Sequence, residues 1–228
     1  MFDIIFLSYN ESNSNQNWNN LRDRFPHAKR LSGVKGIHRA HKIAATISLS
    51  NMFWIVDGDS VILDDFNFED PDGVWEESTY VYRAKNPVNG LEYGWGGIKL
   101  LPRYYTMQLT DTTVDMATSV APHFTAVEKV ASVTMFNTDP FSTWKSAFRE
   151  CVKLSSKIID RQIDTETEHR LDTWCTVGAD KSYGNYCIQG AIAGREYGIT
   201  NRNNKDNLRL INNFEWLKYY YENKTTAQ

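Results

Sequence analysis

Met52-Phe53-Trp54-Ile55-Val56-Asp57-Gly58-Asp59-Ser60-Val61-Ile62 sets an unbroken apolar run against two acidic residues. Five β-branched and aromatic or large apolar residues without a polar break predict a strand buried on both faces. Asp57 and Asp59 then stand at its carboxyl end, separated by Gly58. In an open α/β sheet, ligands gather at the carboxyl ends of the strands. Two carboxylates there offer hard oxygen ligands that suit Mg²⁺ or Mn²⁺. Such ions keep coordination places open for phosphate oxygens. The same three residues also fit a plain turn, because Asp-Gly is a strong hairpin signal.

Working outward, the pattern alternates. Residues 3–9 read as a first strand, closed by Ser8-Tyr9-Asn10-Glu11. Trp18, Leu21 and Phe25 recur at helical spacing, and Pro26 stops that helix. Residues 28–31 read as a short strand and Gly33-Val34-Lys35-Gly36 as a turn. Residues 37–49 read as a helix whose apolar face is Ile37, Ala40, Ile43, Ala44 and Ile47. The first 62 residues are thus β-α-β-α-β, which predicts an α/β fold with a mixed, mainly parallel central sheet and flanking helices. Further strands are predicted at 79–83, 98–101 and 130–136, and helices at 141–161 and 208–222. Residues 173–199 mix Gly, Cys and Tyr with short apolar stretches and give no assignment. The run Asp64, Asp65, Glu69, Asp70, Asp72, Glu76 and Glu77 has no Lys or Arg and reads as a solvated loop.

The chain has 228 residues, room for one α/β domain with a full core. We expect a single domain, with residues 1–101 forming one half and 102–228 the other. A net charge of −3 argues against a globally basic nucleic-acid binder, so any such contact needs a local patch. No apolar run approaches the ~20 residues that span a bilayer, so no membrane partner is expected. The amino terminus lacks a basic n-region and reads as a strand rather than a signal peptide. Cys151, Cys175 and Cys187 form no CxxC pair, which predicts free, mostly buried thiols in a reducing cytoplasm.

Several segments carry candidate chemistry. Ser8, Tyr9, Asn10 and Glu11 end a strand with groups able to hold a nucleotide base and ribose, though Ser and Asn also simply make turns. Gly33, Lys35 and Gly36 precede a helix start, where backbone N–H groups favour a diphosphate. His38 and His41, three residues apart, suit a metal, a ribose or a solvated face. Trp95, in the loop Tyr93-Gly94-Trp95-Gly96-Gly97, could stack on a sugar or base, or fill the core. In the helix at 141–161, Lys145, Arg149, Lys153, Lys157 and Arg161 repeat every four residues over about 24 Å. That stripe would follow nucleic-acid phosphates, or would be a solvated helix face. Asp139, just before Pro140, is placed either as a helix N-cap or as a base.

The order Ser-Tyr-Asn-Glu, a glycine-lysine-glycine helix start, a hydrophobic strand and Asp-Gly-Asp resembles family 2-type glycosyltransferases of the GT-A fold, over about residues 3–62. More widely, residues 25–30, 33–41, 56–59, 86–102 and 139–154 resemble phage-encoded glycosyltransferase-like proteins. The resemblance implies a GT-A-like, Rossmann-like nucleotide-diphospho-sugar transferase in the host cytoplasm. It implies Mn²⁺ or Mg²⁺ and a nucleotide-sugar donor, UDP-linked by preference. The acceptor it implies is hydroxymethylcytosine or another modified pyrimidine in double-stranded DNA. Carried over, Ser8–Glu11, Gly33, Lys35, Gly36, His38, Asp57 and Gly58 bind the donor. Asp59, Asp57 and a later histidine, His123, hold the metal. Tyr93, Trp95, Gly96, Gly97, Trp144, Lys145, Arg149 and Lys153 face the acceptor. An inverting transfer needs a carboxylate base: Asp139 first, with Glu150 and Asp172 as the other candidates. A transferase acting on a small molecule or glycan, and a catalytically silent nucleotide-sugar or DNA-binding module, are the alternative readings.

Overall fold

The computed structural model describes residues 1–71, 73–110, 114–159 and 162–225; Asp72 of the acidic run and Arg161 of the basic stripe lie outside them. The chain divides into two compact units, Met1–Asn86 with Glu92–Asp111 and Met116–Met135, and Pro87–Leu91 with Thr112–Asp115 and Phe136–Gln228. The main boundary falls after Met135, with two short earlier segments belonging to the second unit.

The first unit follows the predicted alternation: β1 (Asp3–Ser8), α1 (Ser14–Arg24), β2 (Lys29–Ser32), α2 (Ile37–Ile47) and β3 (Met52–Asp57). Short strands β4 (Ser60–Ile62), β5 (Ser78–Lys85), β6 (Glu92–Tyr93) and β7 (Ile98–Pro102) come next. A short helix α3 (Arg103–Met107) and the long strand β8 (His123–Thr134) complete it. The sheet order is β2-β1-β3-β7-β5-β8-β4, with β6 on β5. β2-β1-β3 is a parallel block and β5 pairs β8 in parallel, but β7 runs antiparallel to both β3 and β5 and β4 antiparallel to β8, so the sheet is mixed. Local apolar pattern marks a strand but does not name its neighbour, and this is where the parallel expectation fails.

The central strands are buried on both faces. On one face lie Ile4, Phe6, Met52, Trp54, Val56, Ile98 and Leu100; on the other, Ile5, Phe53, Ile55 and Leu101. This is the period-2 consequence of an apolar run in a strand. Phe66 and Phe68 anchor the acidic loop in the first core, packed edge-on against Trp54. The loop is therefore solvated only between its aromatic anchors.

Chain length dictates how the sheet bends. Between Asp57 and Ser60 the backbone can advance only about 10 Å. In a flat sheet β3 and β4, four places apart, would lie about 19 Å from each other. The sheet curls instead, bringing β4 and the end of β8 over the start of β7. A Cβ on Gly97 would sit 2.6 Å from Ser132 Oγ and 3.3 Å from Ser60 Oγ. The Met135 N–H donates to the Asp59 carbonyl at 2.7 Å and seals the step.

The second unit is helical: α4 (Pro140–Ser156), α5 (Asp164–Thr176), α6 (Gly184–Thr200), α7 (Lys205–Arg209) and α8 (Phe214–Thr225). α4 ends five residues before the predicted stop, where Lys157 turns left-handed with φ 56°. α6 and the last turn of α5 occupy the stretch that gave no assignment. Glycine made it illegible, and glycine is what builds it. Gly190, Gly194 and Gly198 lie one turn apart on α6, and a Cβ on each would collide with α4 backbone at Trp144, Phe148 and Val152. The matching order along both helices makes them parallel, at a separation only glycine permits. Cys151 and Cys187 are buried there, Cys175 is half-buried, and all three are free thiols.

Alanine normally stabilises a helix over glycine by about 1 kcal/mol. Gly194→Ala should do the reverse here, destabilising by about 1–3 kcal/mol through overpacking. Urea unfolding of the full chain, with slope and midpoint both recorded, checks the sign.

Candidate functional site

Three parallel strands end at one edge of the first unit, and their following loops gather the first candidate residues. Ser8, at the end of β1, donates its hydroxyl to Ser32 Oγ at the end of β2, 3.2 Å away. The Gly33 N–H donates to the Ser8 carbonyl at 3.0 Å. Gly33 and Gly36 take φ of 76° and 94°, values that suit glycine, and Gly36 starts α2. Tyr9, Asn10, Lys35, Gly33 and Gly36 are exposed along this edge, open to a ligand.

Gly58 is required for space rather than for conformation. A Cβ there would lie 2.8 Å from both Ser8 Cβ and Glu11 Oε2, and 3.1 Å from Ser8 Cα. The end of β3 thus presses directly on the end of β1. Asn17, buried on α1, donates to the Gly58 carbonyl at 3.0 Å and fixes the turn. Glu11 folds back to accept the Tyr9 N–H at 2.8 Å. The result brings Asp57, Asp59 and Glu11 into one electrostatic neighbourhood.

The two aspartates are treated differently. Asp57 Oδ2 accepts from Lys99 Nζ at 2.6 Å and from the Gly97 N–H at 3.2 Å. The Lys99 side chain is 7% exposed, against 31% for Asp57. Asp59 is only partly accessible, and among the described residues its carboxyl is held by its own N–H rather than by a lysine. Burial first, then the Asp57 and Glu11 carboxylates, push it from 3.8 up to about 7, against the pull of Lys99. Asp3, at the opposite end of β1, shows the contrast. Its burial is outweighed by Lys29 and by the Leu49 and Ser50 N–H groups, and its carboxyl falls to about 2.

α2 sits rotated from the expected face. Ile37 and Ile47 are each 36% exposed, while His38 and His41 are buried. His41 Nδ1 lies 2.8 Å from the Ile37 carbonyl. Burial and the Lys99 charge lower its pKa to about 4, so the ring is neutral at physiological pH.

The loop after β6 also reaches this site. Gly96 has φ 153° and Gly97 φ 75°, and the Gly97 carbonyl accepts the Asp57 N–H at 2.9 Å. A Cβ on Gly96 would lie 3.8 Å from Asp57 Oδ2. Trp95 is half-buried and donates Nε1–H to the Ala84 carbonyl at 3.1 Å. Tyr93 is buried beside it, rings stacked at 6.1 Å.

Other candidates have different placements. His123 stacks on Trp75 at 4.1 Å, at the end of β8 opposite Thr134. Thr134 pairs with Ser60, so His123 is roughly 35 Å of strand away from the aspartates and is not brought to them. In the second unit, Trp144 is 1% exposed and stacks on Phe148; it is core rather than an acceptor platform. Lys145 lies 4.6 Å over the Phe214 ring. Arg149 donates to the Ile211 carbonyl at 2.9 Å and to Asn212 Oδ1 at 3.0 Å. Lys153 pairs with Glu150 at 2.9 Å and Asp115 at 3.4 Å, and Lys157 with Asp164 at 2.6 Å. The four described cations of the stripe are spent on internal contacts.

The three candidate bases also hold structural posts. Asp139 caps α4, accepting the Ser142 N–H at 2.8 Å; these bonds outweigh burial and lower its pKa. Glu150 is buried against Lys153. Asp172 accepts from Arg195 at 2.7 Å.

The residue that sequence reading missed is Lys99; His41, read as suiting a metal, a ribose or a solvated face, is buried instead. The signal for Lys99 was a lone charge inside Ile98-Lys99-Leu100-Leu101. Among the described residues no three His, Cys, Asp or Glu side chains are arranged to hold a metal ion by themselves. The hard oxygen donors of Asp59 and Asp57 do match the way Mg²⁺ is held, by one or two carboxylates completed with substrate phosphate and water. No helix among the described residues is long and apolar enough to cross a membrane. Comparison with protein-family models gives no match, and comparison with curated proteins gives none either.

The two aspartates should respond oppositely to neutralisation. Asp59 has a folded-state value above its ordinary one, so the native state binds more protons. Stability should fall as pH rises from about 4 to about 7. In chelator at pH 8, Asp59→Asn should raise the melting temperature. Asp57→Asn strands the buried Lys99 and should cost about 1–3 kcal/mol, below the value for a fully buried pair. Melting curves at pH 5 and pH 8 test both signs.

Proposed function

We propose that this protein is a divalent-cation-dependent glycosyltransferase that moves a sugar from a nucleoside diphosphate to an acceptor hydroxyl. The observation that carries the reading is the convergence of Ser8–Glu11, the α2 start at Gly36 and Asp57-Gly58-Asp59 on one edge of the sheet. The partial positive charge of the α2 N-terminus and exposed Lys35 favour a diphosphate. Asp59 is the aspartate left without a countercharge of its own, and its carboxylate would hold the cation. When bound, Mn²⁺ or Mg²⁺ supplies charge neutralisation for the departing diphosphate. Asp57, clamped by Lys99 and the Gly97 N–H, keeps the turn in register and faces the ribose side. Ser8, Tyr9, Asn10 and Glu11 would receive the nucleoside, with UDP the preferred carrier.

For the acceptor we propose a hydroxymethylated pyrimidine in DNA, on the strength of the resemblance alone. A second reading, a small-molecule or glycan hydroxyl, gains from one observation. Arg149, Lys153 and Lys157 are paired internally, so α4 does not offer the run of free cations that a DNA backbone needs.

The test is thermal shift with UDP, GDP, ADP and CDP, with and without Mn²⁺. A nucleotide at a hundredfold excess over its Kd should stabilise by about 2.7 kcal/mol. We expect one nucleotide to shift the protein only with Mn²⁺, and Asp59→Ala to lose the shift. Sugar transfer to hydroxymethylcytosine DNA or to free sugars then separates the two acceptors. No shift with any nucleotide would sink the donor reading; a shift without transfer would mark a silent binding module.

A further inference from the structure

The geometry points to Lys99 as a charge gate: its ammonium guards the aspartate turn so that a divalent cation enters only together with a diphosphate. This rests on the reading of the edge as a nucleoside-diphosphate site, in which Lys99 otherwise only clamps Asp57.

Lys99 Nζ stands 2.6 Å from Asp57 Oδ2 with the side chain 7% exposed. The Gly97 N–H donates to the same oxygen at 3.2 Å, so that oxygen is already saturated by positive partners. A bare dication bound to Asp59 and Asp57 would sit beside this ammonium. Charges withdrawn from water repel over such distances with little screening. A diphosphate brings its own negative charge and offsets the repulsion. Cation and nucleotide therefore become mutually dependent, which is a coupling between two ligands.

A resting place for the displaced ammonium is built in. The Ile37 carbonyl can only accept, so His41 Nδ1, 2.8 Å away, carries the ring proton. Nε2 of the neutral ring is then a bare acceptor. It is buried and has no hydrogen-bond partner among the described residues. His41 is 1% exposed and lies where both Lys99 and Asp57 act on its charge. A lysine leaving Asp57 finds an unfilled lone pair on the helix that backs the site.

The experiment titrates MnCl₂ against wild type, Lys99→Met and Lys99→Arg, with and without UDP or GDP. Free aquo-Mn²⁺ is read by electron paramagnetic resonance. Wild type should bind Mn²⁺ roughly 5- to 150-fold more tightly with the matching nucleotide, the usual range of such couplings. Lys99→Met should bind Mn²⁺ alone more tightly than wild type by a similar factor, with the coupling lost. Lys99→Arg should behave as wild type. Folded Lys99→Met that binds Mn²⁺ alone no better than wild type would overturn the inference. Lys99→Gln repeats the comparison should the methionine variant not fold. If neither nucleotide binds wild type, the donor reading falls and co-entry falls with it; a gain of Mn²⁺ by Lys99→Met would then show only that Lys99 excludes a bare cation.

Discussion

Three residues must carry the backbone from the middle of the sheet to its far edge. Most of the first unit follows from that shortage of chain. The sheet has to curl, Gly58 has to lose its side chain, and the end of β3 has to rest against Ser8. The same compression brings Asp57, Asp59 and Glu11 together, with one buried lysine to offset them. A fold that only needed a turn would not crowd three carboxylates there. The electrostatic tension of the site is thus a by-product of topology.

The β-α-β-α-β order was legible because each element carries its own period. Phe53 to Val56 could only be a buried strand, and Trp18 with Leu21 could only be one side of a helix. The aspartate turn was legible for the same local reason. What local pattern cannot carry is partnership. β7 reads as a short apolar strand whether it runs up or down, and its antiparallel placement delivers Lys99 to Asp57 across 42 positions of sequence. α2 could present Ile37 and Ile47 or His38 and His41 to the sheet, since two neighbouring faces both carry small residues. The structure buries Ala40, Ala44, Ala45 and the histidines, because small side chains let the helix lie close to the strands.

The basic stripe on α4 teaches a complementary lesson. Repeating cations every four residues fix a helix face but say nothing of what meets it. Arg149 satisfies the backbone carbonyl of Ile211 before α8, and Lys145 covers an aromatic ring. Their long aliphatic stems pack while their charged ends find local partners. Asp139 behaves likewise: its position before Pro140 made it both cap and candidate base, and its geometry is that of a cap.

Glycine on α6 has a consequence for how the second unit comes apart. Four glycines in 17 residues strip the segment of intrinsic helix preference, so in isolation it would be a coil. It becomes helical only against α4, whose backbone it touches along three turns. Secondary structure and tertiary contact are therefore a single event in this segment. An α6 formed but undocked from α4 would therefore lack the packing that offsets its weak helix preference.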